Sequence, residues 1–277
     1  MLGVPKLDSR ELIQSRGGDF LDAHLEKVPP FRALIRSIEC RIFERYCPLI
    51  PPVLDIGCGD GLFASLAFDR PLTVGIDPDS RDLQQALLEG SYVNLSSADS
   101  TALPFRSGQY KTVISNCVLE HIEDLDGALS EIVRVMDNGA TLLFGVPSHR
   151  FGEFLLGSTI ASRFGLKRLS QWYRNWFNRH SIHHHTDGPE TWVKRLDQYN
   201  LTVRSWHYYM SPSSHFAFDL AHYLSVPNLI SWKLTGAWRL PGNPLQKLFY
   251  RWLKAHYLAN PEGEGAYLFF VCTLKRL

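Results

Sequence analysis

The sequence is short of cysteine and has no long apolar run, and both shortages limit what the protein can be. Its 277 residues hold five cysteines, an odd number without paired spacing, so neither a disulfide framework nor a zinc ribbon is indicated. No stretch reaches the roughly 18 uninterrupted apolar residues that a membrane-spanning helix needs. Residues 1–22 carry charges throughout and lack the apolar core of a secretion signal. These features predict a cytoplasmic protein.

The whole chain also has almost no net charge, but its two halves carry opposite net charges. Residues 1–150 hold 14 Lys and Arg against 21 Asp and Glu, whereas residues 151–277 hold 15 against 7, so the halves carry −7 and +8. All seven Trp and nine of the eleven His lie at or beyond His149. The second half is therefore a candidate surface for an anionic membrane or for nucleic acid, and a candidate lid over a substrate.

Short apolar runs alternate with helical patterns across the first half of the chain. The predicted strands are Val53–Ile56, Leu72–Ile76, Val93–Leu95, Val113–Ser115 and Thr141–Val146. The predicted helices between them are Gly61–Phe68, Ser80–Leu88 and Leu125–Val135. This alternation predicts a mostly parallel α/β sheet with right-handed crossovers. Further along, Leu201–Met210 and Ala266–Leu274 are predicted strands, and Thr191–Tyr199 is a predicted helix.

A glycine-rich turn follows the first strand, in the segment Val53–Gly61. Its glycines at 57, 59 and 61 allow the backbone to approach a ligand and point N–H groups at it, beside the positive end of the next helix. A dinucleotide-binding fold would have a small residue three positions after Gly59, where Leu62 stands instead.

Polar residues end the next three strands, where parallel sheets bind ligands. Asp77 ends the second strand, where a carboxylate can accept hydrogen bonds from both hydroxyls of a ribose. Asp99 follows the third strand and is placed to receive an adenine amino group, and Asn116 ends the fourth. The pattern predicts a nucleotide-containing ligand across the carboxyl ends of the strands.

In combination, four segments resemble the class I S-adenosylmethionine-dependent methyltransferases, particularly the small-molecule subgroup that includes the ubiquinone/menaquinone-type enzymes. The segments are Leu54–Gly61, Gly75–Asp77, Ala98–Phe105 and Val118–Ile122, and the match runs from about Val53 to Ser148. The resemblance implies a Rossmann-like sheet of seven strands, mostly parallel with the last strand antiparallel, and helices on both faces. It implies S-adenosylmethionine as cofactor, with the methionyl part on the glycine loop, the ribose on Asp77 and the adenine between Ala98 and Asp99. The expected cofactor-binding residues are Asp55, Gly57, Cys58, Gly59, Gly61, Asp77, Pro78, Ala98, Asp99 and Asn116.

Two histidines follow strands at the two lips of the expected cleft, His121 after the fourth strand and His149 after the fifth. Because the pKa of histidine suits proton transfer near neutral pH, both are candidate catalytic residues. For His121 a positioning role is the alternative, since in the methyltransferases that the chain resembles this histidine is not usually the base.

A histidine-rich segment contains His180, His183, His184 and His185. His180 and His184 would share one face of a helix, but three adjacent histidines cannot all point at one ion. The sequence shows no cysteine or fixed carboxylate partner for them, so we expect no metal site. His180 and His184, with the neighbouring Trp172, are instead candidates for contact with a substrate.

The expected architecture is one methyltransferase domain over residues 1–277. It comprises a helical cap (1–50), a cofactor-binding core (51–150) and two lid insertions (151–200 and 211–262). The leading hypothesis is methyl transfer by in-line displacement to a small apolar or anionic acceptor. A nucleic-acid methyltransferase and a non-catalytic binding module are the alternatives. The first lacks the base-gripping Asp/Asn-Pro-Pro-Tyr/Phe motif after strand four, and the intact glycine loop and Asp77 weigh against the second.

Overall fold

A sheet of seven strands runs through the part of the chain that the computed structural model describes, residues 12–225 and 246–275. The strands are β1 Val53–Ile56, β2 Leu72–Asp77, β3 Tyr92–Ser97, β4 Tyr110–Asn116, β5 Met136–Pro147, β6 Leu201–Tyr209 and β7 Tyr267–Leu274. Their order is β3-β2-β1-β4-β5-β7-β6, and β7 runs antiparallel to both of its neighbours while the other pairs are parallel. The predicted fold class is confirmed.

The helices of the described residues surround this sheet. They are α1 Phe20–Lys27, α2 Pro30–Glu44, α3 Leu62–Ala67, α4 Ser80–Glu89, α5 Leu125–Val135, α6 Leu156–Arg163, α7 Lys167–His180, α8 Pro189–Gln198, α9 Pro212–Leu224 and α10 Gln246–Leu258. Single 3₁₀ turns follow β4 at Leu119–His121 and β5 at Phe151–Glu153.

Alternating side chains of the strands form a separate hydrophobic core on each face of the sheet. Val53 and Leu143 pack into one core, whereas Leu54 and Leu142, their neighbours in sequence, pack into the other. The first core is closed mainly by α1, α2, α9 and α10, and the second by α5 and α8. Because successive residues of a strand point to opposite faces, apolar runs without alternation predict a sheet that is covered on both sides.

Three strands extend one or two residues past the carboxyl ends of their predicted apolar runs, and these added residues are polar. β2 includes Asp77, β3 runs to Ser97, and β4 runs to Asn116. Apolar pattern alone misses these ends because there the strands turn from the core to the cleft. From β1 the chain adds β2 and β3 on one side of the sheet and then β4 and β5 on the other. Ligands of such sheets bind at this topological switch point between β1 and β4.

The cap packs with α9 and α10 on one side of the sheet, whereas α8, at the end of the first predicted insertion, packs on the other. α9 and α10 both contact α2, and buried Phe218 and Leu253 join the same core as α2. The basic and aromatic segment 154–177 folds into α6 and most of α7, which are separated where Gly165 has a φ of +73°.

Residues 1–11 of the predicted cap, and 226–245 of the second predicted lid with its Trp232 and Trp238, lie outside the described residues. Within the described part, no helix combines the length and apolarity needed to cross a bilayer.

Candidate functional site

The glycine loop after β1 is held in a conformation that favours glycine. Gly57, Gly59 and Gly61 have φ values of +73°, +53° and +74°, the left-handed region that other residues rarely adopt. A Cβ atom on Gly57 would lie 2.3 Å from a methyl group of Val118, so that position also excludes a side chain by contact. A Cβ on Gly59 would meet nothing within 4 Å, so this stretch of backbone faces open space.

The second motif closes directly onto this loop. The backbone N–H of Gly59 donates to Oδ2 of Asp77 at 3.0 Å, and the N–H of Asp79 donates to Oδ1 at 2.9 Å. The Asp77 carboxylate is therefore oriented before any ligand arrives. Gly57 and Cys58 both donate from their backbone N–H to the carbonyl of Ile76 at 2.9 Å, which fixes the loop against β2.

A cleft of about 450 Å³ lies beside the loop. Its lining includes the predicted residues Gly57, Pro78, Ala98 and Asp99, together with His121. The hydrogen bonds from the backbone N–H and the hydroxyl of Thr101 lower the pKa of Asp99, which keeps it ionised as an acceptor. The volume lies in the range of small-molecule sites.

Asp55 and Cys58 are buried behind the ligand-facing backbone. The hydroxyl of Tyr92 donates to Oδ2 of Asp55 at 2.6 Å, and burial raises the pKa of Asp55 to about 7. Burial also raises the pKa of the Cys58 thiol well above its usual range. Both side chains support the loop from the inside, and any contact they make with a cofactor stays a prediction.

A buried network around Glu39 joins the cap to the end of β4, and sequence reasoning missed it. Glu39 is 1% exposed and accepts hydrogen bonds from Asn116 Nδ2 at 2.8 Å, from the Cys117 thiol at 3.1 Å and from the Tyr209 hydroxyl at 3.2 Å. It also pairs with Arg36 at 2.7 Å, one turn earlier on α2. The ion pair with Glu39 holds the permanently charged guanidinium of Arg36 3.5 Å from the carbonyl oxygen of Asn116.

Glu120 and His121 occupy the turn after β4. Glu120 is 1% exposed, and burial raises its pKa to about 8. Nδ1 of His121 lies 3.1 Å from the carbonyl oxygen of Ile182, and burial lowers the pKa of this histidine, which favours its neutral form. Of the two predicted catalytic histidines, His121 is the one that lines the cleft.

His149 lies elsewhere on the surface. Its Nε2 is 3.3 Å from Oε1 of Glu264, its side chain is 40% exposed, and it is not among the described residues that line the cleft beside the glycine loop. A catalytic role for His149 stays a prediction without a contact to support it.

The three predicted substrate residues are not brought together. Trp172 is 60% exposed on α7, and His180, at the end of the same helix, packs its ring on Trp176. His184 lies in the loop after α7, where its backbone N–H donates to the carbonyl of Glu120 at 2.8 Å. The histidine that approaches the cleft is instead His183, whose ring centroid lies 5.2 Å from that of His121.

Comparisons with known proteins agree with this geometry. Residues 54–144 match the sequence profile of the family described as methyltransferase domain. The fold resembles geranyl diphosphate C-methyltransferase from Streptomyces coelicolor, with a TM-score of 0.54 and 14% identity over 88% of this chain and 83% of that one. Residues 54–144 are a class I S-adenosylmethionine-dependent methyltransferase domain.

Curated relatives of the methyltransferase domain are similar only over part of their length. An uncharacterized methyltransferase of Mycobacterium bovis is 33% identical over 126 residues, which are 43% of this chain and 64% of that protein. Malonyl-[acyl-carrier protein] O-methyltransferase of Legionella pneumophila is 32% identical over 39% of this chain and 42% of its own. The chain thus spans less than two thirds of the length of these relatives.

The residues of the methyltransferase domain fit its cofactor, S-adenosylmethionine. The open space above Gly59 can receive a ligand where any side chain would intrude, and Asp77 stands beside it with a fixed carboxylate. Asp99 stays ionised at the cleft wall, where an adenine amino group can donate to it.

Proposed function

We propose that the protein transfers a methyl group from S-adenosylmethionine to a small apolar or anionic acceptor. The observation that carries this proposal is the continuity of the cleft, which runs from the glycine loop past Asp99 to His121. A cofactor laid along this path would bring its sulfonium to the end of β4, where the acceptor must meet it.

The cofactor contacts follow from the groups along that path. The methionyl part lies on the backbone of Gly57, Gly59 and Gly61, where left-handed glycines allow close approach. The ribose hydroxyls donate to Asp77, and the adenine lies against Pro78 and Ala98 with its amino group on Asp99. Asn116 acts indirectly, because its side-chain amide nitrogen already donates a hydrogen bond to Glu39.

Arg36 completes the acceptor end of the site. Its side chain is 26% exposed and its guanidinium is held by Glu39, so it can meet an anionic group without a search through side-chain conformations. A carboxylate of the cofactor or an anion on the acceptor would both satisfy it. This residue has no counterpart among the sequence motifs, since it lies on α2, before the first strand, and approaches the carbonyl of Asn116 at the end of β4.

The reaction is an in-line displacement in which S-adenosylmethionine supplies a methyl group on a positively charged sulfur. The acceptor forms the new bond to carbon while the sulfur–carbon bond breaks and its electrons return to sulfur. The chain aligns the two reactants and excludes water. We assign His121 a positioning role at the acceptor, with its ring oriented by the hydrogen bond from Nδ1 to the carbonyl of Ile182.

The acceptor class is supported by the second half of the chain and by similar proteins. By their names, the Legionella relative acts on malonyl-[acyl-carrier protein], and the Streptomyces protein of similar fold acts on geranyl diphosphate. In this chain the cap, the insertions and the core are proposed to work as one domain, with residues 151–200 and 211–262 shaping the acceptor side.

The five cysteines are free thiols, which agrees with a reducing cytoplasm.

We also propose that the junction of α6 and α7, residues 160–172, rests on anionic membranes. Ile160, Phe164 and Trp172 are 45%, 74% and 60% exposed there, and Lys167 and Arg168 are exposed beside them. The sequence from 154 to 186 contains no acidic residue. Exposed aromatic side chains with flanking cations are typical of helices that lie in a membrane interface.

The test of the activity is methyl transfer from S-adenosylmethionine labelled in the methyl group. Label should enter a fraction of small molecules from a metabolite extract in the presence of the wild-type chain, and transfer should fall with Asp77→Ala. Incorporation into RNA or DNA instead would overturn the small-acceptor proposal. Absence of any cofactor binding in calorimetry would overturn the proposal as a whole.

A further inference from the structure

The turn after β4 and the histidine-rich loop meet at three groups that commonly ligate metals. One ligand atom each from Glu120, His121 and His183 lies within 4.8 Å of the others. Nε2 of His121 is 3.8 Å from Oε1 of Glu120, and the rings of His121 and His183 are neighbours. Glu120 and His121 are adjacent in sequence, whereas His183 lies in a distant loop, so the fold brings these two segments together.

Two of these three side chains have a buried polar atom without a partner. Among the described residues, Oε2 of Glu120 and Nδ1 of His183 are buried without a hydrogen bond. A neutral His121 that donates from Nδ1 to the carbonyl of Ile182 keeps a free lone pair on Nε2. An unpaired buried polar group is unfavourable unless something absent from the polypeptide satisfies it.

The loop that carries His183 is fixed in place. The backbone N–H groups of His184 and His185 both donate to the carbonyl of Glu120, at 2.8 and 3.2 Å. Ile182 has a φ of +53°, a left-handed conformation that is rare for a branched side chain. The chain therefore accepts a strained residue at the point where its carbonyl orients His121, which is how outer contacts usually orient a metal ligand.

We propose that Glu120, His121 and His183 form a binding site for a divalent transition-metal ion at the acceptor end of the cleft. Two imidazoles and one carboxylate favour zinc and its neighbours in the first transition row over magnesium or calcium, which prefer oxygen ligands. Ligand atoms around a tetrahedral zinc ion lie about 3.4 Å from one another, so side-chain shifts of about 1 Å bring these three residues to coordination distance.

This site replaces the expectation from sequence that the chain has no metal site. The histidine-rich segment lacked a carboxylate partner there, and the structure supplies one in Glu120. His180 and His184 take no part, because His180 bonds to the carbonyl of Trp176 and the side chain of His184 is exposed.

Three protein ligands leave at least one coordination position for water or another ligand. Because His121 also lines the cleft, that position is reachable from the acceptor side. An oxygen of the acceptor bound there would be oriented and made more acidic by the ion. A metal-bound His121 would not serve as a general base, which agrees with its proposed positioning role.

The test measures zinc binding to the full chain after treatment with a chelator and without S-adenosylmethionine, so its result is independent of the methyltransferase proposal. Calorimetry should show one zinc ion per chain, and cobalt should give the visible absorption of a site with nitrogen and oxygen ligands. Glu120→Gln and His183→Ala should each weaken zinc binding by about 100-fold or more.

The matched control is the double substitution His180→Ala with His184→Ala, which removes two exposed imidazoles from the same segment. Zinc affinity should stay unchanged there, and its loss would show adventitious binding by surface histidines and overturn the proposal. Zinc should also raise the melting temperature of the wild type but not of Glu120→Gln, a variant that keeps a neutral side chain of the same shape. No zinc binding to the wild type, or undiminished binding to Glu120→Gln and His183→Ala, would equally overturn it.

Discussion

The backbone N–H of Gly59 donates a hydrogen bond to the carboxylate of Asp77 at 3.0 Å, so the two strongest motifs of the sequence are in direct contact. The contact orients a negative charge at the mouth of the cleft before the cofactor binds. An acceptor that is already positioned gives up little freedom when the ligand arrives.

Replacement of Asp77 should separate ligand binding from folding. Asp77→Ala removes a charged acceptor for the ribose hydroxyls, and we expect S-adenosylmethionine affinity to fall at least about tenfold by calorimetry. Asp79→Ala is the matched control, because Asp79 lies two residues away and caps α4 through the N–H of Arg81. Equal losses of affinity in the two variants would contradict the assignment.

The glycine loop offers a second comparison with a built-in control. Gly59→Ala and Gly90→Ala both place a side chain at positive φ with nothing within 4 Å of the new Cβ. Each should lower the free energy of unfolding by about 1–2 kcal/mol in chemical denaturation. S-adenosylmethionine affinity should fall only for Gly59→Ala, because Gly59 lies in the loop that contacts Asp77, whereas Gly90 ends α4. A Gly59→Ala variant with normal affinity would show that the cofactor does not approach this backbone.

The Glu39 network predicts an unusually large effect on stability for one residue of the cap. Glu39→Ala leaves the partly buried Arg36 without its partner, and loss of one member of a buried ion pair costs about 3–5 kcal/mol. Glu44→Ala, on the same helix but exposed, should change stability by less than about 1 kcal/mol. Similar midpoints of unfolding for the two variants would contradict the importance of the network.

Glu120 predicts a pH dependence of stability in metal-free protein. Burial raises its pKa from the ordinary 4.5 to about 8, so between these values the folded chain holds a proton that the unfolded chain has lost. The free energy of unfolding should therefore fall as pH rises through this window, by about 1.4 kcal/mol for each pH unit from this residue alone.

The measurement is chemical denaturation at pH 5, 6.5 and 8 with a chelator present. Glu120→Gln should lose this part of the pH dependence and be more stable than the wild type at pH 8. Asp55, whose pKa burial raises to about 7, contributes in the same direction in both proteins and cancels from the comparison. Parallel pH curves for wild type and variant would refute the protonation of Glu120.

The α6–α7 junction should bind vesicles that contain anionic lipid. Phe164→Ala with Trp172→Ala should reduce co-sedimentation by removing exposed aromatic area, and Lys167→Glu with Arg168→Glu should reduce it by reversing the charge. Leu87→Ala with Leu88→Ala is the control, since these leucines are 71% and 79% exposed on α4. Indifference of the wild type to lipid, or an equal loss in the control, would remove this proposal.

The sequence was sufficient for the sheet and for one side of the site. The strands from β1 to β5 could be predicted because their apolar runs alternate with helices. The roles of Gly59 and Asp77 could be predicted because short sequence segments around them determine their conformation. Glu39 and His183 could not be predicted, since each acquires its role through contacts with β4 and the turn after it, far away in the chain. The His180–His184 pairing failed because α7 ends at His180, before a helical face could include both residues.

The place of β7 between β5 and β6 has a consequence for how the chain is made. A ribosome delivers β5 and β6 before the residues that join them, so the edge of β5 and the whole of β6 present unpaired backbone groups during synthesis. At about 5–20 residues per second, this state lasts several seconds until Tyr267–Leu274 emerges. The half-built sheet is thus the stage of biosynthesis at which the protein is most exposed to aggregation, and the stage at which a chaperone has most to protect.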